Sequence, residues 1–351
     1  MASAAYGPLE RMLHRLALGS SAAAAMSFDI DQRLARADPE RVTTGRHVFV
    51  SGLARAGTTI LVRRLHATGV FRSLTYRDMP FVLAPNLWRM MRTGGRRSTG
   101  ATERMHGDGI RIDVDSPECL DEVFWRVFRG GDYIHETHLT AHEATDDDIR
   151  AYRAYVAAIL ASDGPYGRRS RYLSKNNNNV LRLSTILRAF PNARILVPFR
   201  DPLAHAESLL RQHRRFCRLQ AGDGFVRAYM QWLAHHEFGL GHRPFWFDAS
   251  RGFVPSRHSP DALDYWLELW IRTYDWLIGH RDPRIIPVSY DRLCTSRGEW
   301  RRVASAVDVP DLPEGVEVLE RRERCRPGRV EAELRDGAHA LHERLQRWAD
   351  G

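Results

Sequence analysis

Cysteine is scarce in this sequence, and the few cysteines that occur stand far apart. The four residues are Cys119, Cys217, Cys294 and Cys325, and none of them forms a CxxC pair. This spacing argues against a disulfide scaffold and against a structural zinc site, and it fits a reducing compartment. We therefore expect a cytoplasmic protein without a metal centre.

Long apolar runs are also lacking. No segment approaches the roughly 18–20 apolar residues that a membrane span needs. The stretch RLALGSSAAAAMSFD near the N-terminus places basic residues before a small apolar run, as a secretory signal does. It is mostly alanine and contains glycine and serine, which makes it too weakly apolar for a good signal core. Residues 1–45 are therefore interpreted as an N-terminal extension, with secretion as the alternative.

Acidic residues are outnumbered by basic ones. The net charge is +9, carried mostly by arginine and spread along 351 residues. A basic balance favours an anionic ligand, a membrane surface or a nucleic acid as partner. No zinc-finger, RNP or basic-helix signature accompanies it, so we do not expect nucleic-acid binding.

Strand-like and helix-like segments alternate along the chain, without internal repeats. Strands are predicted at 47–51, 71–76, 193–199 and 284–290, and helices at 57–68, 146–162, 180–190, from 202 onward, 261–278 and 330–348. Such alternation favours an α/β fold with a parallel sheet flanked by helices. Residues 80–145 and 241–260 break the pattern, and we interpret them as substrate-side insertions in a single domain spanning 46–351.

Two glycines suggest a phosphate-binding loop. Gly52 and Gly57 follow a short apolar strand and precede a helix, at the five-residue offset of GxxxxGK[ST]. Glycines at these places let backbone N–H groups and the helix N-terminus approach an anion. The lysine that should follow Gly57 is Thr58, whereas a cation stands earlier, at Arg55. Such a loop suits a phosphate-type group held without a metal, and a plain glycine-rich turn is the alternative.

A second anion site is suggested by RILVPFRDPLAHAESLL. The predicted strand ends at Arg200, and Ser208 lies two turns into the next helix. Asp201 could imitate the acid of a Walker B strand, but an Asp-Pro pair is better explained as the N-cap and first residue of a helix.

These two elements together resemble the sulfotransferases that use 3′-phosphoadenosine 5′-phosphosulfate (PAPS). In that family an [RK]-x-G-T-T loop binds the 5′-phosphosulfate, and an arginine followed eight positions later by a serine binds the 3′-phosphate. Here RAGTT occupies 55–59, and Arg200 and Ser208 have the required separation. The segments RYLSKNNNNV, FPNA and RIIPVSYDRL further resemble the tyrosylprotein and related bacterial members. The resemblance covers roughly residues 46–78 and 170–310.

The chain departs from the family pattern at several places. Ala56 replaces the usual serine, and Ile60 stands where cytosolic members carry a tryptophan against adenine. Asn176 and Asn177 stand where those enzymes have Thr-His, so their histidine base is absent at that place.

The resemblance implies PAPS as the cofactor, no metal, and a P-loop-like sulfotransferase fold. The cofactor-binding residues it implies are Arg55, Ala56, Gly57, Thr58, Thr59, Arg200, Ser208 and Tyr290. Sulfuryl transfer needs the developing charge on the bridging oxygen to be stabilised, and Arg55, Lys175 and loop N–H groups can do so without a Walker lysine.

The resemblance also implies a general base, for which we predict Asp78. Related enzymes keep a glutamate just after the second strand, and Asp78 lies about two residues later than that position. Glu136 and His138, in the first insertion, are the reserve candidates, and a metal site built from HETHLTAHE is a weaker interpretation. An Arg-x-Gly loop at Arg326–Gly328 could close over the 3′-phosphate.

Three functions remain open at this point. The first is transfer of a sulfuryl group to an acceptor hydroxyl, most plausibly on a carbohydrate or small molecule. The second is a nucleotide-dependent kinase, which the missing lysine disfavours. The third is an anion- or glycan-binding module that keeps the fold without turnover. The acceptor and the oligomeric state are not predicted.

Overall fold

A five-stranded parallel sheet forms the centre of the computed structural model, which describes residues 7–92, 102–103, 111–112, 115–163, 169–248, 250–310 and 330–351. The strands are β1 (Val48–Val50), β2 (Phe71–Arg72), β3 (Thr102–Glu103), β4 (Arg111–Ile112), β5 (Leu139–Thr140), β6 (Arg171–Lys175), β7 (Arg194–Phe199), β8 (Phe245–Trp246) and β9 (Ile285–Ser289). The sheet has the order β2-β6-β1-β7-β9. Its neighbouring strands are all parallel.

Helices occupy most of the remaining described chain. They are α1 (Pro8–Gly19), α2 (Ser21–Ala35), α3 (Pro39–Thr43), α4 (Thr58–Ala67), α5 (Pro85–Met91), α6 (Glu122–Tyr133), α7 (Asp146–Ala161), α8 (Leu183–Ala189), α9 (Pro202–Gly222), α10 (Gly224–Trp232), α11 (Leu263–Gly279), α12 (Tyr290–Thr295), α13 (Arg297–Ala306) and α14 (Ala332–Asp350). Short 3-10 turns are formed by Tyr76–Asp78, Asn177–Arg182 and Gly239–Gly241. The α/β fold with a parallel sheet flanked by helices, predicted from the sequence, is confirmed.

The core lies on both faces of the sheet. Along β1, Val48 and Val50 belong to one buried cluster and Phe49 to the other, because successive strand residues point to opposite faces. All three side chains are fully buried. Since β1 lies between β6 and β7, the loop that follows it emerges between the ends of two neighbouring strands.

The described part of the N-terminal extension, from residue 7 onward, contains the three helices α1, α2 and α3, which pack on the same core. Leu18 and Phe28 belong to the larger apolar cluster. Asp31, in α2, is fully buried and accepts hydrogen bonds from Asn86 Nδ2 at 3.0 Å and from the backbone N–H of Leu87 at 2.7 Å, both in α5. Burial raises the pKa of this carboxyl above its usual range. The predicted N-terminal extension is thus held to the rest of the fold by apolar packing and by a buried carboxylate.

The two predicted insertions meet each other. The short strands β5 and β8, one from each insertion, pair in parallel with Leu139 opposite Phe245 and Thr140 opposite Trp246. No helix in the described part of the chain is long and apolar enough to cross a membrane.

Candidate active site

The loop between β1 and α4 has an unusual backbone. Gly52 and Gly57 have φ angles of +130° and +98°, and Arg55 has a φ angle of +70°. A non-glycine residue in this left-handed region carries strain, and such residues are enriched at functional sites. A Cβ atom added at Gly57 would lie 2.3 Å from Cδ2 of Tyr290. The Tyr290 ring therefore packs directly against the point where the loop enters α4.

The loop and α9 are in direct contact, although their motifs are far apart in the sequence. Nε of Arg55 donates a hydrogen bond to Oγ of Ser208 at 3.3 Å. One turn earlier in α9, Nε2 of His205 lies 2.8 Å from the backbone oxygen of Ala54 and donates to it. The two anion-binding motifs predicted separately from the sequence therefore form one site.

Arg200 lies at the end of β7, beside the same loop. Its guanidinium carbon lies 5.0 Å from the centre of the Tyr290 ring. Its Nε atom is buried and has no hydrogen-bond partner among the residues that the structure describes. A buried cationic donor without a partner is costly in a folded protein unless a ligand satisfies it. Arg200 is therefore well suited to hold an anion.

Tyr290 is the aromatic residue of this site. It begins α12 directly after β9. Burial, with a smaller contribution from Cys294, raises the pKa of Tyr290 to about 12. The phenol therefore stays protonated at neutral pH and can donate a hydrogen bond.

Lys175 is the last residue of β6, which lies beside β1 on the side opposite β7. It lies opposite Val50 in the strand register, and the N–H of the following residue, Asn176, donates to the Val50 oxygen at 3.0 Å. Its Nζ forms an ion pair with Oε1 of Glu118, and both side chains are more than nine-tenths buried. The Tyr76 hydroxyl donates to the second oxygen of Glu118 at 3.3 Å. The strand register thus places a buried ammonium group next to the loop between β1 and α4.

An acidic segment of the first insertion binds the end of β6. Three of its carboxylates accept hydrogen bonds from three consecutive residues of the strand end. The pairs are Glu118 with Lys175, Asp121 with Ser174 (2.6 Å) and Glu122 with Asn176 (2.7 Å). Burial opposes ionisation of Glu122, but the adjoining Arg182 guanidinium more than offsets it and lowers the pKa of this carboxyl. The insertion therefore fixes the position of the lysine.

A sequence model described as the sulfotransferase family matches residues 47–243, which is more than half of the chain. This match includes the loop, Lys175, Arg200 and Ser208. The chain belongs to the sulfotransferase family.

Several solved structures are similar to this sulfotransferase at low sequence identity. Sulfotransferase STF1 from Mycobacterium tuberculosis H37Rv is 15% identical, with 98% of this chain and 86% of that chain covered and a TM-score of 0.47. Sulfotransferase STF9 from Mycobacterium avium is 14% identical, with 98% and 82% covered and a TM-score of 0.45. A sulfotransferase from Alicyclobacillus acidocaldarius is 14% identical, with 87% and 94% covered and a TM-score of 0.38. No curated protein sequence gives a significant match.

In this sulfotransferase, Asp78 helps to build a turn. Its Oδ1 accepts a hydrogen bond from Arg72 at 2.6 Å, and its Oδ2 accepts from the backbone N–H of Thr75 at 2.8 Å. The Arg72–Asp78 ion pair is buried at about nine-tenths of each side chain. Both oxygens therefore accept hydrogen bonds from groups of the fold, and the base role of Asp78 stays a prediction.

The reserve candidates for the base lie in the loop between α6 and β5. Glu136 is exposed, and its backbone oxygen accepts from Arg243 at 3.3 Å. His138 stacks on the Phe253 ring, with ring centres 4.3 Å apart, and burial lowers its pKa. His142 turns inward instead and stacks on Tyr133 at 4.7 Å. No group of three metal-ligating side chains was found among the described residues, and Arg326–Gly328 lies outside them.

Two residues of the site were not predicted. His205 has its pKa lowered to about 3 by burial and by Arg200, so it is neutral and its proton is held on Nε2 by Ala54. Its spacing of three from Ser208 on one helix face could have indicated it. Glu118 gives no such signal, because its contact with Lys175 joins residues that are 57 positions apart.

Proposed function

We propose that this sulfotransferase transfers a sulfuryl group from PAPS to a hydroxyl group of a carbohydrate or small-molecule acceptor. The observation that carries the proposal is the hydrogen bond between Arg55 and Ser208. It joins the loop between β1 and α4 to helix α9, which follows Arg200. The two cationic side chains, Arg55 and Arg200, therefore lie at the same end of the sheet. A donor with a phosphosulfate at one end and a phosphate at the other requires such a pair.

The proposed roles follow from position. The 5′-phosphosulfate is held by Arg55, Ala56, Gly57, Thr58 and Thr59, where the loop leads into the N-terminus of α4. The 3′-phosphate is held by Arg200 and Ser208, with Tyr290 beside them. These residues are cations, hydroxyls and N–H donors, so binding needs no metal ion.

Lys175 and Arg55 are proposed to stabilise the reaction itself. When bound, PAPS supplies the activated sulfuryl group and a nucleotide leaving group. Charge then develops on a phosphate oxygen, and a buried ammonium group at the end of β6 stabilises that charge more strongly than it would in water. A cytoplasmic location stays a prediction from the sequence.

The donor assignment is tested by matched changes at the two ends of β7. Arg200 directly follows Phe199, the last residue of this strand, whereas Arg194 begins the strand at the opposite edge of the sheet. We expect Arg200→Ala to weaken binding of 3′-phosphoadenosine 5′-phosphate (PAP) by about 10- to 150-fold, which corresponds to the roughly 1.5–3 kcal/mol of a hydrogen bond to a charged group. Arg194→Ala should change PAP binding by less than about threefold. The measurement is isothermal titration calorimetry with PAP, in the presence and absence of EDTA.

Three results would contradict the proposal in different ways. Equal losses in the two variants would mean that Arg200 has no special contact with the nucleotide. Tight magnesium-dependent binding of ATP, without a response to PAP or PAPS, would support a kinase. Binding of PAP without sulfate transfer to any acceptor in a labelled-PAPS screen would support a module that binds anions without turnover.

A further inference from the structure

The environment of Lys175 contains a second candidate catalytic residue, which lies outside the sequence motifs. Of the 52 lysine and arginine residues in the chain, Lys175 is the only lysine. At this one place the chain has a compact ammonium group in a sequence that otherwise uses guanidinium groups, which are larger, planar and more weakly hydrated. The function of this position therefore requires the compact ammonium group of lysine and not the larger guanidinium group of arginine.

The partner of this lysine is held firmly. Oε1 of Glu118 also accepts a hydrogen bond from the backbone N–H of Cys119 at 3.0 Å, and Oε2 accepts from the Tyr76 hydroxyl at 3.3 Å. The Glu118 side chain is 8% exposed. Four residues later, Glu122 forms an ion pair with Arg182 in which neither side chain has any exposed surface. The segment that carries Glu118 is thus anchored independently of Lys175.

Stability alone is a poor explanation of this ion pair. A buried Lys–Glu pair loses about as much in desolvation as it gains in attraction, so apolar side chains would stabilise the same place as well or better. The pair also lies at the carboxyl end of a central strand and beside the loop between β1 and α4. At this position a functional group can act on a ligand that the loop holds.

We propose that Glu118 is the general base of the reaction, an inference that rests on the proposed function. Glu118 takes the proton of the acceptor hydroxyl while the acceptor oxygen bonds to sulfur. The bond from sulfur to the bridging oxygen breaks, and its electron pair goes to the phosphate oxygen of the leaving nucleotide. Lys175 stabilises the charge that appears there. The proton ends on Glu118, and the sulfuryl group ends on the acceptor.

Glu118 and Asp78 differ in the cation that each one pairs with, because Glu118 binds Lys175 at the end of a central strand whereas Asp78 binds Arg72. Tyr76 contacts Glu118 through its hydroxyl. The first insertion therefore places a carboxylate against the lysine that ends β6. The titratable groups that adjoin Glu118 include Lys175 in β6, Tyr76 in the 3-10 turn and Cys119 beside it.

The test compares two substitutions that preserve side-chain shape, Glu118→Gln and Asp78→Asn. We expect Glu118→Gln to bind PAP within about threefold of the wild type, to lower kcat by at least about a hundredfold, and to lose the acid limb of the pH–rate profile. Asp78→Asn should keep that acid limb and most of its kcat. Activity is measured with labelled PAPS and the acceptor found by screening, and folding by circular dichroism.

A second variant covers the case in which Glu118→Gln does not fold. Tyr76→Phe keeps the ring and removes only the hydroxyl that donates to Glu118, so it should move the acid limb upward in pH and leave PAP affinity unchanged. The inference is overturned if Glu118→Gln turns over normally, if Asp78→Asn alone abolishes the acid limb, or if Tyr76→Phe leaves the profile unmoved. A loss of PAP affinity in Glu118→Gln that matches its loss of kcat would make Glu118 a positioning residue for Lys175. Failure of the wild type to bind PAP would instead refute the proposed function.

Discussion

Gly57 is required for two independent physical reasons. Its φ angle of +98° lies in the left-handed region, where a side chain costs roughly 1–2 kcal/mol. In addition, the Tyr290 ring occupies the space that a Cβ atom would need. The first reason concerns the backbone alone, whereas the second concerns the proposed nucleotide site.

A control residue separates these two reasons. Gly69 also has a positive φ angle, +73°, but no atom lies within 4 Å of where its Cβ would be. We expect Gly69→Ala to lower the free energy of unfolding by about 1 kcal/mol, and Gly57→Ala to lower it by at least as much because its Cβ also displaces the Tyr290 ring. Only Gly57→Ala should also weaken PAP binding, by at least about tenfold, because Tyr290 must move. Chemical denaturation and calorimetry measure the two effects, and equal PAP affinities would show that the Tyr290 ring has no part in binding.

At the residue scale, motif spacing predicted positions that the fold brings together. Arg55 and Ser208 touch, and Tyr290 lies against the loop, as a shared site requires. The sequence could not predict the partner of Lys175. Glu118 lies in an insertion whose path depends on how α6 packs, and no local pattern encodes that packing.

Helix α9 shows how well a local signal can set the beginning of an element. Asp201 Oδ1 accepts a hydrogen bond from the N–H of Ala204 at 2.9 Å, and Pro202 takes the first helical position. The predicted cap is therefore confirmed. In addition, the N–H of Asp201 donates to Asp291 at 3.1 Å, which links the start of α9 to α12.

Two substitutions at Asp201 distinguish a helix cap from a magnesium ligand. Asp201→Ala removes the acceptor, so it should lower the free energy of unfolding by about 1 kcal/mol. Asp201→Asn keeps an acceptor oxygen, so its stability should stay within a few tenths of a kcal/mol of the wild type and its PAP affinity within about twofold. Thermal unfolding and calorimetry test both expectations. A large loss of binding in Asp201→Asn that appears only when magnesium is present would restore the Walker-type interpretation.

Strand β6 was missed by pattern reasoning, although it carries Lys175. Its sequence, RYLSK, has too few apolar residues to indicate a buried strand, yet four of its five residues are buried. The side chains of Ser174 and Lys175 pair with carboxylates that come from more than 50 residues earlier in the chain. Only the folded chain supplies those partners, and a local window of sequence cannot contain them. By contrast, β7 was predicted because its residues ILVPF carry their own apolar signal.

At the scale of the whole molecule, buried histidines make the free energy of unfolding depend on pH. Burial lowers the pKa of five of them to between about 3 and about 4. They are His47, His142, His205, His236 and His242. His47 is held on both sides: Nε2 donates to the Val42 oxygen at 2.8 Å, and Nδ1 accepts from the N–H of Tyr172 at 2.9 Å. A proton on Nδ1 would break the second bond.

The sign of the effect follows from proton uptake. Below about pH 6.5 the unfolded chain binds protons at these histidines, whereas the folded chain does not until about pH 4 or lower. Stability is therefore fully present above pH 6.5 and is lost as the pH falls, by about 1 kcal/mol per histidine at pH 5.5. Burial also raises the pKa of Asp31 and raises that of Asp121 to about 6, and both shifts act in the opposite direction to those of the five histidines.

We expect the free energy of unfolding to fall between pH 7.5 and pH 5.5, and His47→Gln to reduce that fall by about 1 kcal/mol. Urea denaturation at the two pH values gives both numbers. The difference between the pH values is the readout, because the glutamine changes the absolute stability as well. A variant with the same pH dependence as the wild type would show that His47 takes up its proton in the folded state too.

The buried position of Lys175 also determines how the protein reacts with reagents that modify lysine side chains. Since the chain has no other lysine, one ε-amino group is present, and it is 7% exposed and paired with a carboxylate. Reagents that acylate ε-amines thus meet a single, shielded target, and their rate of reaction reports how often this part of the protein opens. For the same reason, lysine-directed enzymatic tagging has no exposed acceptor side chain on the folded surface. Surface immobilisation of the folded protein through lysine would require an engineered residue.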